Sequence, residues 1–166
     1  MKKILTLLLI FSLSSCSDGD FDVPSFNFTD TVTSCGEYVL YVTNSSKTEL
    51  LALSLVKTHL GTTAGEKTID IGSTAAATSI KATYRIVASA IGTDYFCQNI
   101  PPLEPKVSKE LIATSGTVTI KTTEVLSGTT ITGYKHEISL NQLLFFDGTE
   151  RVFFETFPFG TITVKK

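Results

Sequence analysis

The sequence contains no tryptophan, three cysteines and two histidines among its 166 residues. Sugar-binding platforms favour Trp and Tyr, and the first of these is missing. The two histidines, His59 and His136, have no ligand partners near them in the sequence. A histidine-based zinc site therefore has no motif to rest on. Charge is sparse, with 18% charged residues, a formal net charge of −2 and a pI near 5.7. That excludes the basic stripe of a nucleic-acid-binding protein. No P-loop, dinucleotide fingerprint or G-x-S-x-G elbow is present. No apolar run reaches the roughly 20 residues that a membrane-crossing helix needs. The chain is nonetheless 42% hydrophobic, too apolar for a disordered polymer. It has room for one core.

What is present begins at the amino terminus. Met1-Lys2-Lys3 is a short basic start, and Ile4 to Phe11 is a nearly unbroken apolar run. Small residues follow, up to Cys16. These are the three regions of a secretory signal peptide over residues 1–15. Leu13-Ser14-Ser15-Cys16 resembles the bacterial lipobox. The resemblance implies that the Cys16 thiol receives a diacylglyceryl group, that the signal is cut before it, and that the new amine is acylated. Each buried methylene contributes about 0.8 kcal/mol, so several acyl chains hold a protein stably on a membrane.

Residues 16–23 read as an acidic tether carrying Asp18, Asp20 and Asp22. The stretch also resembles the acidic export signal of Bacteroidota surface lipoproteins. Its carboxylates lack the distal Glu and flanking helices of an EF-hand. Processing removes Lys2 and Lys3, leaving 12 basic against 16 acidic residues, a formal −4. Such a surface should stand away from anionic headgroups on its anchor.

Residues 24–166 read as one β domain. Thr is abundant, and Val, Ile, Phe and Tyr recur in short runs between turn signals such as Asn44-Ser45-Ser46, Ser115-Gly116 and Asp147-Gly148. In Glu37 to Thr43 both faces are apolar: Tyr38, Leu40 and Val42 on one, Val39 and Tyr41 on the other. Leu51, Leu53 and Leu55 alternate as a strand, while Ser46 to Glu49 also fits a helix capping box. Ser79 to Ala88 alternates clearly. Further strands are expected over 67–71, 107–114, 117–126, 129–140, 143–146, 151–154 and 161–166, with a short one at Tyr95-Phe96. The prolines at 101, 102 and 105 mark a crossing or an edge. The expected fold is all-β, an antiparallel two-sheet sandwich, with an immunoglobulin-like topology as the default.

Once Cys16 is lipidated, Cys35 and Cys97 remain for one disulfide in an oxidising compartment. It would close a loop of about 60 residues, worth about 4 kcal/mol in the chain-entropy model. His136 lies on the apolar face of its strand and reads as a core residue, and His59 falls in a loop. Phe145, Phe146, Phe153, Phe154, Phe157 and Phe159 crowd the last hairpin, as core or as an aromatic patch. The hairpin tip 147–151 and the loop 61–66 are the expected recognition surfaces. Asp30-Thr31-Val32 resembles the O-glycosylation motif of Bacteroidota. No catalytic, cofactor-binding or metal-ligating residue is expected.

Cys97-Gln98-Asn99-Ile100-Pro101-Pro102, Ser115-Gly116-Thr117-Val118-Thr119-Ile120 and the Thr-rich segment after them look like small Bacteroidota lipoproteins of unknown function. The resemblance implies an outer-membrane or surface location in a Gram-negative bacterium and supplies no activity. The expected role is a cell-surface or periplasmic binding or accessory module with a protein or glycan partner and no nucleic acid. The alternatives are a structural envelope component and, third, a hydrolase. An exposed aromatic or polar concavity would favour the first, and a flat apolar patch or open edge strand the second. Converging carboxylates with perturbed pKa values would favour the third. Replacing Cys16 with Ser is expected to abolish labelling by a clickable palmitate analogue, and labelling that persists would refute the anchor.

Overall fold

The computed structural model describes residues 27–29, 31–36, 38–98, 102–146, 148 and 151–166. The signal peptide, Cys16, the acidic tether, Asp30 and Asp147 lie outside the described residues. Every regular element among the described residues is a strand. In chain order these are β1 (Thr33–Cys35), β2 (Val39–Thr43), β3 (Glu49–Ser54), β4 (Gly65–Ile71), β5 (Ser79–Val87), β6 (Val107–Ser127), β7 (Thr130–Phe146) and β8 (Arg151–Lys165). They join in one curled, mixed sheet of order β1-β2-β3-β5-β4-β6-β7-β8, with β5 also paired to β6.

Local sequence explains the joints. Between β2 and β3 the Asn44 side chain accepts hydrogen bonds from the backbone N–H groups of Thr48 (2.9 Å) and Glu49 (3.2 Å). These polar residues close a hairpin rather than cap a helix, and the leucines that follow form β3. Period-2 alternation then sorts β5: Ile80, Ala82 and Tyr84 are fully buried while Lys81 and Arg85 are half-exposed.

β6 is 21 residues long and serves two neighbours on one side. Its opening pairs with β5, from Val87↔Val107 to Thr83↔Ile112. Its middle pairs with β4, from Asp70↔Thr117 to Gly65↔Thr122. β4 and β5 meet directly at Asp70↔Ser79 and Ile71↔Ile80, in parallel, which departs from the antiparallel expectation.

The sequence suggests strand ends at three places where the chain instead continues. In β6 the buried positions are Leu111 and Ala113, then Val118, Ile120 and Thr122, so the inward parity changes from odd to even. The register with β7 shifts there, around Ser115. Gly116 has φ +133°, and a Cβ on it would lie 3.0 Å from the Gln142 carbonyl oxygen. On β7 the parity changes the other way, from Ile138 and Leu140 to Leu143 and Phe145. Gln142, with φ 51°, sits at that change. In β8 the register shifts between Ile138 and Ser139 of its partner, leaving Phe159 as the extra residue between Pro158 and Gly160. Turn-forming residues here make bulges that keep apolar side chains inward.

The curl wraps one main core. Leu40, Leu53 and Tyr84 from the first half share it with Ile120, Leu140, Phe145 and Phe159 from the second. Phe28 bridges to Asn44 beside β2 and meets the Phe157 ring of β8 at 5.8 Å, nearly perpendicular. The two ends of the sheet thus approach each other.

The phenylalanine pairs divide as strand geometry requires. Phe145 is fully buried, with its ring 6.3 Å from Tyr84. Its neighbour Phe146 is 42% exposed under the Arg151 guanidinium. Phe145→Ala is expected to cost about 3–5 kcal/mol of unfolding free energy in urea. Phe146→Ala is expected to cost less than about 1 kcal/mol. Equal losses would contradict this division between core and surface.

Candidate functional site

Strands β2, β3 and β5 have a second apolar face, turned away from the main core. Tyr41, Leu50, Ala52 and Val87 are buried there. What buries them is the irregular segment 88–98, which crosses the sheet as a strap carrying Ile91, Tyr95 and Phe96. Tyr95-Phe96 forms part of a turn rather than the expected strand. The strap is fastened at several points. Ala88 N–H donates to the Lys106 carbonyl (2.9 Å) and Ile91 N–H to that of Lys47 (3.0 Å). The Tyr41 hydroxyl donates to the Thr93 carbonyl (2.7 Å), and burial pushes that hydroxyl above the ordinary phenol pKa. At the far end Cys97 stands at disulfide distance from Cys35 of β1, with Cα atoms 5.1 Å apart. That spacing suits a cystine.

The strap brings aromatic rings over a polar strand. Phe96 lies 5.0 Å from both Tyr41 and Tyr95. The Arg85 guanidinium stands 5.6 Å from the Phe96 ring centre and pairs with Glu110. The strap's last turn is closed by Gln98, whose amide donates to Asp94 (3.2 Å). Between strap and sheet remains a cavity of about 220 Å³, walled by Ser54, Lys81, Thr83, Arg85, Phe96 and Gln98. Cations, hydroxyls, an amide and aromatic rings thus converge on one concave surface. Such a mixture of apolar wall and placed polar groups is the usual make-up of a small-ligand site.

A shallower groove of about 390 Å³ lies on the outer face of the other half. Glu66, Lys121 and Glu137 form a cross-strand row there, by the pairings Glu66↔Lys121 and Lys121↔Glu137. The Lys135 ammonium, 2.8 Å away, holds the Glu137 carboxyl below the usual carboxylate range. A glycosidase acid needs the opposite shift. The row is a ladder of compensating surface charges.

Both histidines are buried. His136 meets the Thr122 hydroxyl at 3.0 Å inside the core, as its place on an apolar face suggests. His59, expected in a loop, occupies one but turns inward. Its Nδ1 accepts from Val56 N–H (3.2 Å), while Nε2 completes no hydrogen bond among the described residues. Burial holds its pKa below the ordinary imidazole value, partly offset by the backbone of Ala76 and Ala77. Burial thus disfavours the charged imidazolium of His59. The loop that carries it lies over Thr122, whose hydroxyl is 3.7 Å from a Cβ built on Gly61.

The loop 61–66 is exposed as expected from residue 62 onward. Of the O-glycosylation motif, Thr31 is exposed and Val32 packs on the core, while Asp30 lies outside the described residues. Sequence reasoning did not single out Lys81, Arg85 or Phe96. The available signal was the doubly apolar strand around Tyr41, which demands a cover on each side. No protein-family model, curated protein or solved structure matches this chain.

Cleaving the link between Cys35 and Cys97 is expected to free the strap before the sheet unfolds. Non-reducing peptide mass spectrometry should find the two residues joined. Limited proteolysis within 88–98 should accelerate severalfold after reduction. Free thiols in the unreduced protein, or identical proteolysis in both states, would overturn this.

Proposed function

We propose that this chain is a lipid-anchored binding or accessory module of the bacterial envelope, related to small Bacteroidota surface lipoproteins. In this reading Cys16 holds it to the outer membrane or cell surface, and the strapped cavity takes the ligand. The observation that carries the reading is the cavity itself, where Lys81, Thr83 and Arg85 of β5 face Phe96 and Gln98 of the strap. A chain fastened by both an anchor and a cystine is suited to a compartment outside the cytoplasm. The lipobox resemblance, the signal-like start and the disulfide-distance cysteines all agree with that placement. The curled sheet is read as a sandwich-like arrangement, because both halves lay their inner faces on one core.

A second reading, a structural envelope component, is favoured by one observation. Phe153 is 59% exposed and Phe146 42% exposed on the last hairpin, offering a surface for self-association.

The full chain in mild detergent, applied to an array of soluble glycans and peptides, separates the two. Binding that is lost in Ser54→Phe, which adds a ring to the cavity wall, is the expected result. An array that retains nothing, together with concentration-dependent self-association relieved by Phe153→Ser, would replace the binding reading with the structural one.

A further inference from the structure

From the lining of the strapped cavity we infer that its ligand is a small hydroxylated monocarboxylate, a sugar acid of about one ring. This inference rests on the binding reading above and names the ligand class for that same site. Charge is the first argument. Lys81 and Arg85 both line the cavity, and among the described residues no carboxylate does. Arg85 is already committed to Glu110 and to the Phe96 ring. Lys81 makes no ion pair or hydrogen bond to the described residues, so among these residues it is the one cation of the cavity without a partner. A single unpartnered cation matches a monoanion better than a phosphate dianion.

Size is the second argument. About 220 Å³ lies below the 300–1,000 Å³ typical of drug-sized sites and holds one small ring. Lining chemistry is the third. Ser54 and Thr83 offer hydroxyls and Gln98 an amide, all suited to ligand hydroxyl groups. Phe96 and Tyr95 supply apolar wall for the C–H side of a sugar. Lys81 and Thr83 are on one face of β5 at i and i+2, about 7 Å apart along the strand. A carboxylate and the hydroxyls of one sugar ring span that distance.

Titration calorimetry of the full chain in detergent, with D-glucuronate as the probe, tests this directly. Saturable binding is expected for D-glucuronate, and at least tenfold weaker binding for D-glucose, D-glucose 6-phosphate and acetate. Lys81→Gln should weaken glucuronate about tenfold, bring it level with glucose, and leave the urea midpoint unchanged. Added salt should weaken glucuronate and leave glucose alone. Equal binding of glucose, tighter binding of the phosphate, indifference to Lys81→Gln, or no saturable binding would each overturn the inference. If Ser54→Phe still abolishes capture of some other glycan or peptide on the array, the binding reading survives without the sugar acid. No saturable glucuronate binding, together with an empty array and self-association relieved by Phe153→Ser, removes both.

Discussion

Two neighbours share one side of β6, and that sharing constrains the rest of the molecule. β5 takes the opening of the strand and β4 its middle, so the sheet cannot lie flat along the length of β6. The first half of the sheet turns with β5 and the second with β4 and β7. Their inner faces meet on a common core of leucines, isoleucines and Phe145. A slip of one residue would send every inward side chain of β6 to the other face. The irregularity at Ser115 and Gly116 performs that slip once, deliberately placed opposite its counterpart at Gln142. The two inversions occur side by side, so Leu111 and Ile120 on β6, and Leu140 and Phe145 on β7, all still point inward.

The strap follows from the same geometry. When the inner face of β2, β3 and β5 is committed to the main core, Tyr41, Leu50 and Ala52 are left on the outside. Segment 88–98 removes them from water, and the Cys35–Cys97 pair fixes its end to the edge strand. The cavity is a by-product of that cover. Its lining comes from strap and sheet together: the strap contributes its rings, and the sheet contributes Lys81 and Ser54.

Much of this was readable in the residues. Alternation located β5, the leucine triplet located β3, and the strand around Tyr41 was seen to be apolar on both faces, although the cover this calls for was not inferred. His136 was legible as a core residue because Tyr134 and Ile138 share its face. The breaks at 115–116 and 141–142 were also legible, but a change of parity looks the same whether a strand ends or bulges. Only the partner strand decides, and pairing over that range is not encoded locally. The parallel contact of β4 with β5 was hidden for the same reason. The loop position of His59 was legible, but its inward turn was not, because nothing in its flanks distinguishes an inward loop residue from a solvated one. The cavity was invisible because its walls come from β3, β5 and the strap, which are brought together only by tertiary structure.

β8 is the last strand of the sheet, and among the described residues only β7 pairs with it. An outer strand of this length would ordinarily recruit a copy of itself from a neighbouring molecule. Pro158 interrupts it with a residue that has no N–H to offer, and the extra residue Phe159 kinks the path just beyond. An incoming strand would lose its ladder halfway along. Where copies of the chain are crowded together, that interruption is protection against fibrous assembly.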